Sequence, residues 1–348
     1  MRVLVTGHNG YIGARLVPVF REAGHDVVGL DCYLYGACTF GEDVPDVPTV
    51  VRKDVRDVTV ADFEGVDAVV HLAGISNDPL GDLNAETTYD INYRASVHVA
   101  QTAKAAGVQR FVMSSSCSLY GAHGDAVLDE HAEFRPVTPY GESKVLAERD
   151  LSLLADDDFS PTFLRSATAY GVSARLRGDL VVNNLTAYAV TTGEVLMKSD
   201  GSPWRPLVHV EDIARAFLAV VEAPRSLVHD VALNVGRTSE NYRIREVARI
   251  VEEEVPGSTV VLAEGASPDV RNYRVSCDRI AELLPAYAPR WTVRDGVREL
   301  RDAYERHGLT LDELTGNLQR IRYVEDLMRA GRVAPDLRWT GVPDGVHG

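Results

Sequence analysis

The stretch TGHNGYIG at 6–13 places Gly7, Gly10 and Gly13 three residues apart, directly after the apolar run Val3, Leu4 and Val5. Ile12, Leu16, Val19 and Phe20 then recur at helical spacing, so the glycines fall where a buried parallel strand turns into a helix. Such a junction leaves unpaired N–H groups at a helix start, where the helix dipole also favours an anion. Gly7 permits the tight turn, Gly10 lets a phosphate approach the main chain, and Gly13 lets helix and strand pack closely. Asn9, Tyr11 and Ile12 belong to the same turn and join the glycines as candidate dinucleotide contacts.

The run from His25 to Leu30 is a second apolar strand, and Asp31 closes it. A carboxylate at that point accepts hydrogen bonds from both hydroxyls of an adenosine ribose and repels a 2′-phosphate. Cys32 and Tyr33 follow it, with no arginine to neutralise a further phosphate. The expected cofactor is therefore NAD rather than NADP.

Strand candidates at 2–6, 26–31, 49–53, 67–72, 109–114 and 161–166 alternate with helical stretches, notably 85–106. That alternation predicts an α/β fold of Rossmann type, a doubly wound parallel sheet with its ligands at the carboxyl ends of the strands. Residues 1–170 are read as the NAD-binding domain with the catalytic residues. Residues 171–348 are read as a smaller, interleaved C-terminal substrate-binding region with a helical tail at 308–331. In that tail Leu311, Leu314, Leu318, Ile321, Val324 and Leu327 recur at helical spacing. The expectation is a helix capping the second region, ahead of an oligomer contact.

A formal charge of −15 argues against a general nucleic-acid or anionic-membrane binder, because phosphate contacts need clustered lysine and arginine. The four cysteines make no close pair, which fits reduced thiols in the cytoplasm better than a disulfide framework. The first strand starts at Arg2 and leaves no room for a signal peptide, and no apolar run reaches membrane-spanning length.

YGESK places Tyr140 and Lys144 four residues apart, hence on one helix face. A close ammonium favours the phenolate of a tyrosine, so this phenol can move a proton to or from an alcohol oxygen. The same lysine can hold a ribose hydroxyl of a nicotinamide cofactor, and Tyr140 beside it joins Lys144 as a candidate cofactor contact. Upstream, SSSC at 114–117 ends a strand aimed at the same crevice, and Ser116 is the chosen hydroxyl.

Together TGxxGxxG, Asp31, Asp54 with Val55, HLAG at 71–74, Asn92, SSSxxxYG at 114–121 and YxxxK at 140–144 resemble the extended short-chain dehydrogenase/reductase family. Within it the likeness is greatest to nucleotide-sugar epimerases and dehydratases. The resemblance implies NAD held by Gly7, Gly10, Gly13 and Asp31, with Asp54 and Val55 beside the adenine and with Leu72, Ala73, Gly74 and Asn92 near the cofactor. It implies a catalytic set of Ser116, Tyr140 and Lys144. It also implies a homodimer joined through the helices at 85–106 and 140–155, and a UDP- or dTDP-linked sugar as substrate. VVNNL at 181–185, WRPLVHVEDIA at 204–214 and PDVRNYR at 268–274 resemble the family's substrate segments, making Asn184, Arg205 and Arg271 candidate ligands of the diphosphate sugar. Ser76, Asn77 and Thr168 are candidate contacts to the sugar.

In 4,6-dehydratases the resemblance leads one to expect Asp-Glu after the catalytic hydroxyl, where this chain has Cys117 and Ser118. A thiol and an alcohol do not replace two carboxyls, given their far higher pKa values. Cys117 is read either as a substrate-side group, able to move a proton at C3 or C5, or as a small buried side chain. The expected reaction is epimerisation at C4 through a transient 4-keto sugar, with Tyr140 as acid and base. One-way reduction of a 4-keto sugar with NAD(P)H stands second. Dehydration, C3 or C5 epimerisation and a non-catalytic NAD-binding sensor stand below both.

Overall fold

The computed structural model describes residues 1–41, 43–76, 84–263 and 271–341. In chain order the strands are β1 (Arg2–Thr6), β2 (Asp26–Asp31), β3 (Thr49–Arg52), β4 (Ala68–His71), β5 (Arg110–Ser116), β6 (Ala122–Leu128) and β7 (Ser160–Ser166). There follow β8 (Thr168–Tyr170), β9 (Glu194–Met197), β10 (Trp204–His209), β11 (Val231–Val235), β12 (Asn241–Arg243), β13 (Thr259–Leu262) and β14 (Asn272–Val275). Seven of them form one parallel sheet in the order β11-β7-β5-β4-β1-β2-β3. Successive strands run outward from β1 in both directions, and the crevice between its two neighbours is where such a sheet takes its ligands.

Both faces of the sheet are covered, and the alternation of its side chains divides the core. Val3, Val5, Val70 and Val112 point to one side, into a cluster with Leu16 and Phe20 of the helix Tyr11–Glu22 and Ile213 and Phe217 of the helix Val210–Glu222. Leu4, Val28, Val69, Phe111 and Met113 point to the other, against Val99 and Ala100 of the helix Ala95–Ala105. Full burial of one such side chain is worth about 1.5–3 kcal/mol, which accounts for the unbroken apolar runs that mark these strands in the sequence.

The helix expected over 85–106 is broken. Its ends, Ala85–Tyr89 and Ala95–Ala105, are α-helical, and a π-helical turn at Asp90–Arg94 joins them. Beyond β7 the chain builds a second core from Leu185, Leu207, Val247, Val251, Val297 and Tyr304. It also returns β11 to the edge of the main sheet.

The tail departs from expectation in its placement. Its helices, Leu311–Thr315 and Arg320–Arg329, are separate. Leu314 and Leu318 enter the second core, but Val324, Leu327, Val333 and Leu337 pack with Leu34, Ile75 and Ile91 of the first region. The segment thus spans the two regions and ends on the nucleotide-binding one. An amphipathic period states that a face is buried, not which neighbour buries it.

Candidate active site

Gly7 has φ of +73°, and a Cβ there would lie 2.8 Å from the Ala73 main-chain nitrogen. A Cβ on Gly13 would lie 2.4 Å from the carbonyl oxygens of Gly7 and His8. Gly10 instead caps the helix Tyr11–Glu22, where no side chain accepts from the first-turn amides. The start of that helix is left for an anion to satisfy. Beside it the Asp31 carboxylate is held by the main-chain N–H groups of Asn9 (3.0 Å) and Tyr33 (2.6 Å). Asn9 itself does not reach the cavity: it is buried, and its Oδ1 accepts from Arg175 Nε at 2.5 Å.

One cavity of about 770 Å³ runs from this turn across the carboxyl ends of the strands. Gly7, Gly10, Tyr11, Ile12, Gly13, Asp31, Asp54, Val55, Leu72, Ala73 and Gly74 line it, as the sequence leads one to expect of a dinucleotide site. Ser116, Tyr140, Lys144, Ser76, Thr168, Asn184, Arg205 and Arg271 line it as well. Asn92 does not. It is fully buried in the π-helical turn, where its amide accepts from the Ile75 N–H (2.7 Å) and donates to the Ile75 carbonyl (2.8 Å). It therefore holds the loop after β4 in place rather than facing the cavity. Asn77 lies outside the described residues.

A second device fixes the same loop. His71 bridges Thr6 Oγ1 (2.8 Å) and Ser96 Oγ (2.9 Å), while Thr6 Oγ1 accepts from the Ala73 N–H at 3.2 Å. Burial lowers the His71 pKa to about 3, helped by the charge of Lys144, so the ring is a neutral strut.

The helix Pro139–Ser152 begins where the sequence signals it: Thr138 accepts from the Gly141 N–H at 3.2 Å and Pro139 opens the first turn. This start brings Tyr140 and Lys144 to the cavity wall one turn apart, with Lys144 Nζ 5.8 Å from the centroid of the Tyr140 ring. Lys144 is 5% exposed and donates to the Ser114 carbonyl at 2.8 Å. Burial lowers its pKa to about 8, opposed by the charge of Glu148.

Hydrogen bonding sorts the serines of β5. All three border the cavity, but the Ser115 hydroxyl is engaged with the buried Glu148, which leaves Ser116 the hydroxyl next to Ser118. Ser116 Oγ accepts from the Ser118 N–H at 3.1 Å and shares a short hydrogen bond with Ser118 Oγ. Cys117 stands in the core rather than at the cavity wall. It is 1% exposed, its Sγ donates to the Arg165 carbonyl at 3.1 Å, and burial pushes the thiol well above its ordinary range. Ser118 takes the cavity position that the sequence reading gave to Cys117.

At the far end Arg205 donates to the Trp204 carbonyl (2.8 Å) and to the Arg271 carbonyl, tying two predicted diphosphate ligands together. Asn184 lines the wall while its Nδ2 donates to the Gly178 carbonyl at 2.7 Å. The sequence reading missed Arg177 and Arg320, both on the cavity wall. Arg177 pairs with Asp179 at 2.6 Å and donates to Ser76 Oγ at 2.8 Å. The cluster RLRGD at 175–179 was the available signal for the first.

Residues 3–236 match the model of the NAD dependent epimerase/dehydratase family. The UDP-glucose 4-epimerase of Neisseria meningitidis serogroup C is 30% identical over 283 residues, which cover 72% of this chain and 81% of that protein. The UDP-glucose 4-epimerase of Azospirillum brasilense is 27% identical over 326 residues, covering 88% of this chain and 92% of that one. Among solved structures, MoeE5 in complex with UDP-glucuronic acid and NAD superposes with a TM-score of 0.75 at 27% identity, covering 88% of this chain and 99% of MoeE5. The glycine turn, Asp31 and the tyrosine and lysine on one wall thus lie in a chain that belongs to the NAD-dependent epimerase/dehydratase family, an enzyme whose cofactor is NAD.

Proposed function

We propose that this enzyme epimerises a nucleotide-linked sugar at C4. The observation that carries the reading is the single cavity that holds the glycine turn and Asp31 at one end, Ser116, Tyr140 and Lys144 on its wall, and Arg205 and Arg271 at the other. The residues present fit the cofactor. The crowded Gly7 and Gly13, the uncapped helix start and the fixed Asp31 carboxylate make a cradle for a diphosphate and an adenosine ribose. When bound, NAD supplies reversible hydride transfer.

The chain's own part is the proton. Tyr140 Oη takes the proton of the 4-hydroxyl as C4 is oxidised to the ketone, and returns it when the ketone is reduced on its other face. The Lys144 ammonium favours the phenolate needed for the first transfer, and the Ser116 hydroxyl, held by Ser118, shares the moving proton. Arg205 and Arg271 hold the substrate's diphosphate as guanidinium forks, and residues after 170 supply most of the sugar-nucleotide contacts. The burial of Cys117 supports the reading further, since it leaves Ser118 alone where a dehydratase needs two carboxyls.

Incubation with UDP-glucose, UDP-glucuronic acid and dTDP-glucose, followed by proton NMR of the sugar, tests the reaction. A C4 epimer formed without net change at 340 nm supports it. Stoichiometric consumption of added NAD(P)H with a 4-keto sugar would replace it by the reductase, and loss of water from the sugar by a dehydratase.

A further inference from the structure

We propose that the C-terminal segment 319–341 is a built-in strap of the cofactor site, and that Arg320 on it is a ligand of the dinucleotide's diphosphate. The proposal rests on the NAD reading of the cavity. Gln319, Arg320, Ile321 and Leu337 all line that cavity, although Tyr273, the nearest lining residue before them in sequence, lies 46 residues upstream of Gln319.

Arg320 is 3% exposed. Its guanidinium lies 4.4 Å from the centroid of the Tyr35 ring, in the loop that follows Asp31, and Nη2 donates to the Arg175 carbonyl at 2.9 Å. Nη1 is buried and has no hydrogen-bond partner, and the carboxylate charge that acts with the guanidinium is that of Asp179 on the same wall. A buried cation left in that state is costly, because its lost hydration is not replaced.

A second cation makes the imbalance larger. Arg175 is 6% exposed and donates to Asn9 Oδ1 and to the Gly36 carbonyl, without an ion-pair partner among the described residues. The charge of Arg320 acts against that of Arg175. The nearby acids are already engaged: Asp179 pairs with Arg177, and Asp31 accepts from the main chain of Asn9 and Tyr33. In a chain of formal charge −15, Arg320 with its unpartnered Nη1 on the cavity wall, the positive charge of Arg175 behind it and an uncapped helix start on the same cavity together call for an anion with several oxygens. A diphosphate has that chemistry. The position against Tyr35 and the Asn9 turn favours the cofactor's diphosphate over the substrate's.

The segment is fastened on the same side. Arg338 pairs with Asp57 at 2.6 Å, Arg56 donates to the Asp336 carbonyl at 2.9 Å, and Trp339 Nε1 donates to the Cys32 carbonyl at 2.8 Å. Cys32 directly follows the ribose carboxylate, and Arg56 bonds Asp54, the residue expected beside the adenine. Leu337 seals the wall between these fasteners. The strap therefore crosses the adenosine end of the site and places Arg320 at its diphosphate.

The test compares wild type with Arg320→Gln and with the double variant Arg338→Ala and Trp339→Ala, all as full chains. NAD bound to the purified protein is measured after denaturation, its release is timed against an NAD-consuming trap, and UDP affinity is measured by calorimetry. The proposal expects Arg320→Gln to release NAD about 10- to 100-fold faster, as loss of a charge-assisted hydrogen bond implies. UDP affinity should be unchanged, and the double variant should release NAD faster with Arg320 in place. Should Arg320→Gln fail to fold, the double variant carries the test. Weakened UDP binding with unchanged NAD release would assign Arg320 to the substrate and overturn the proposal, as would no change in either. A wild-type protein that takes up no NAD would remove the reading beneath it.

Discussion

Lys144 Nζ donates to the Ser114 carbonyl at 2.8 Å, which ties the helix bearing Tyr140 to the strand that ends in Ser116. One hydrogen bond thus sets the mutual placement of the three proposed catalytic groups. It also spends only one of the three ammonium donors on the main chain, leaving the charge and the other donors for the cavity.

The charge on that donor depends on pH. Burial lowers the Lys144 pKa from 10.5 to about 8, so the ammonium is present below that pH and lost above it. Turnover, expressed as kcat/KM, should fall on the alkaline side with a midpoint near 8. A profile flat up to pH 10 would show that the phenol does not rely on this cation.

Tyr140→Phe removes the proton carrier and leaves the glycine turn, Asp31 and Lys144 of the cofactor site in place. The variant should retain NAD and lose at least about a hundredfold in kcat, the usual scale of general acid and base catalysis. NMR of the sugar product and NAD content after denaturation check the two halves separately.

Ser116→Ala should lower kcat, while Cys117→Ala should leave it nearly unchanged and cost stability of about 1 kcal/mol for the emptied core volume. Urea unfolding and steady-state rates distinguish them. A Cys117→Ala variant that folds as well as wild type and has lost its turnover would restore the thiol as a proton carrier.

Glu148 pairs with Arg165 at 2.6 Å, both side chains 6–7% exposed, and also accepts from Ser115. Glu148→Gln leaves the Arg165 charge buried without its partner, and about 3–5 kcal/mol of stability should be lost. Chemical denaturation measures it. A loss under 1 kcal/mol would mean that Tyr120 and the Glu130 carbonyl, its other partners, hold the guanidinium alone.

The strands β1, β2, β4 and β5 are legible because each is buried on both faces and so carries an apolar run, whereas β3 at the sheet edge is mostly exposed and shows only Val50 and Val51. The glycine turn and Tyr140 with Lys144 are legible because their chemistry is local: three residues of a turn, or one turn of a helix. Asn92 is expected at the cofactor and stands behind the wall, and of the two readings of Cys117 the structure shows the buried one, since a π-helical turn and the 3-10 turn that follows β5 decide where these side chains point. Arg320 sits in QRIR, a run that reads as a solvated helix face. Its burial depends on Tyr35 and Arg175, which no period or spacing connects to it.

The fastening of Trp339 and Arg338 onto Cys32 and Asp57 has a consequence for biosynthesis. Translation delivers the glycine turn more than 300 residues before these fasteners, so a nascent chain can assemble its parallel sheet before the proposed strap is in place. If the strap is a wall of the cofactor site, NAD is captured only once residues 338 and 339 have been made, and a variant that loosens them would impair loading before it impaired folding of the sheet.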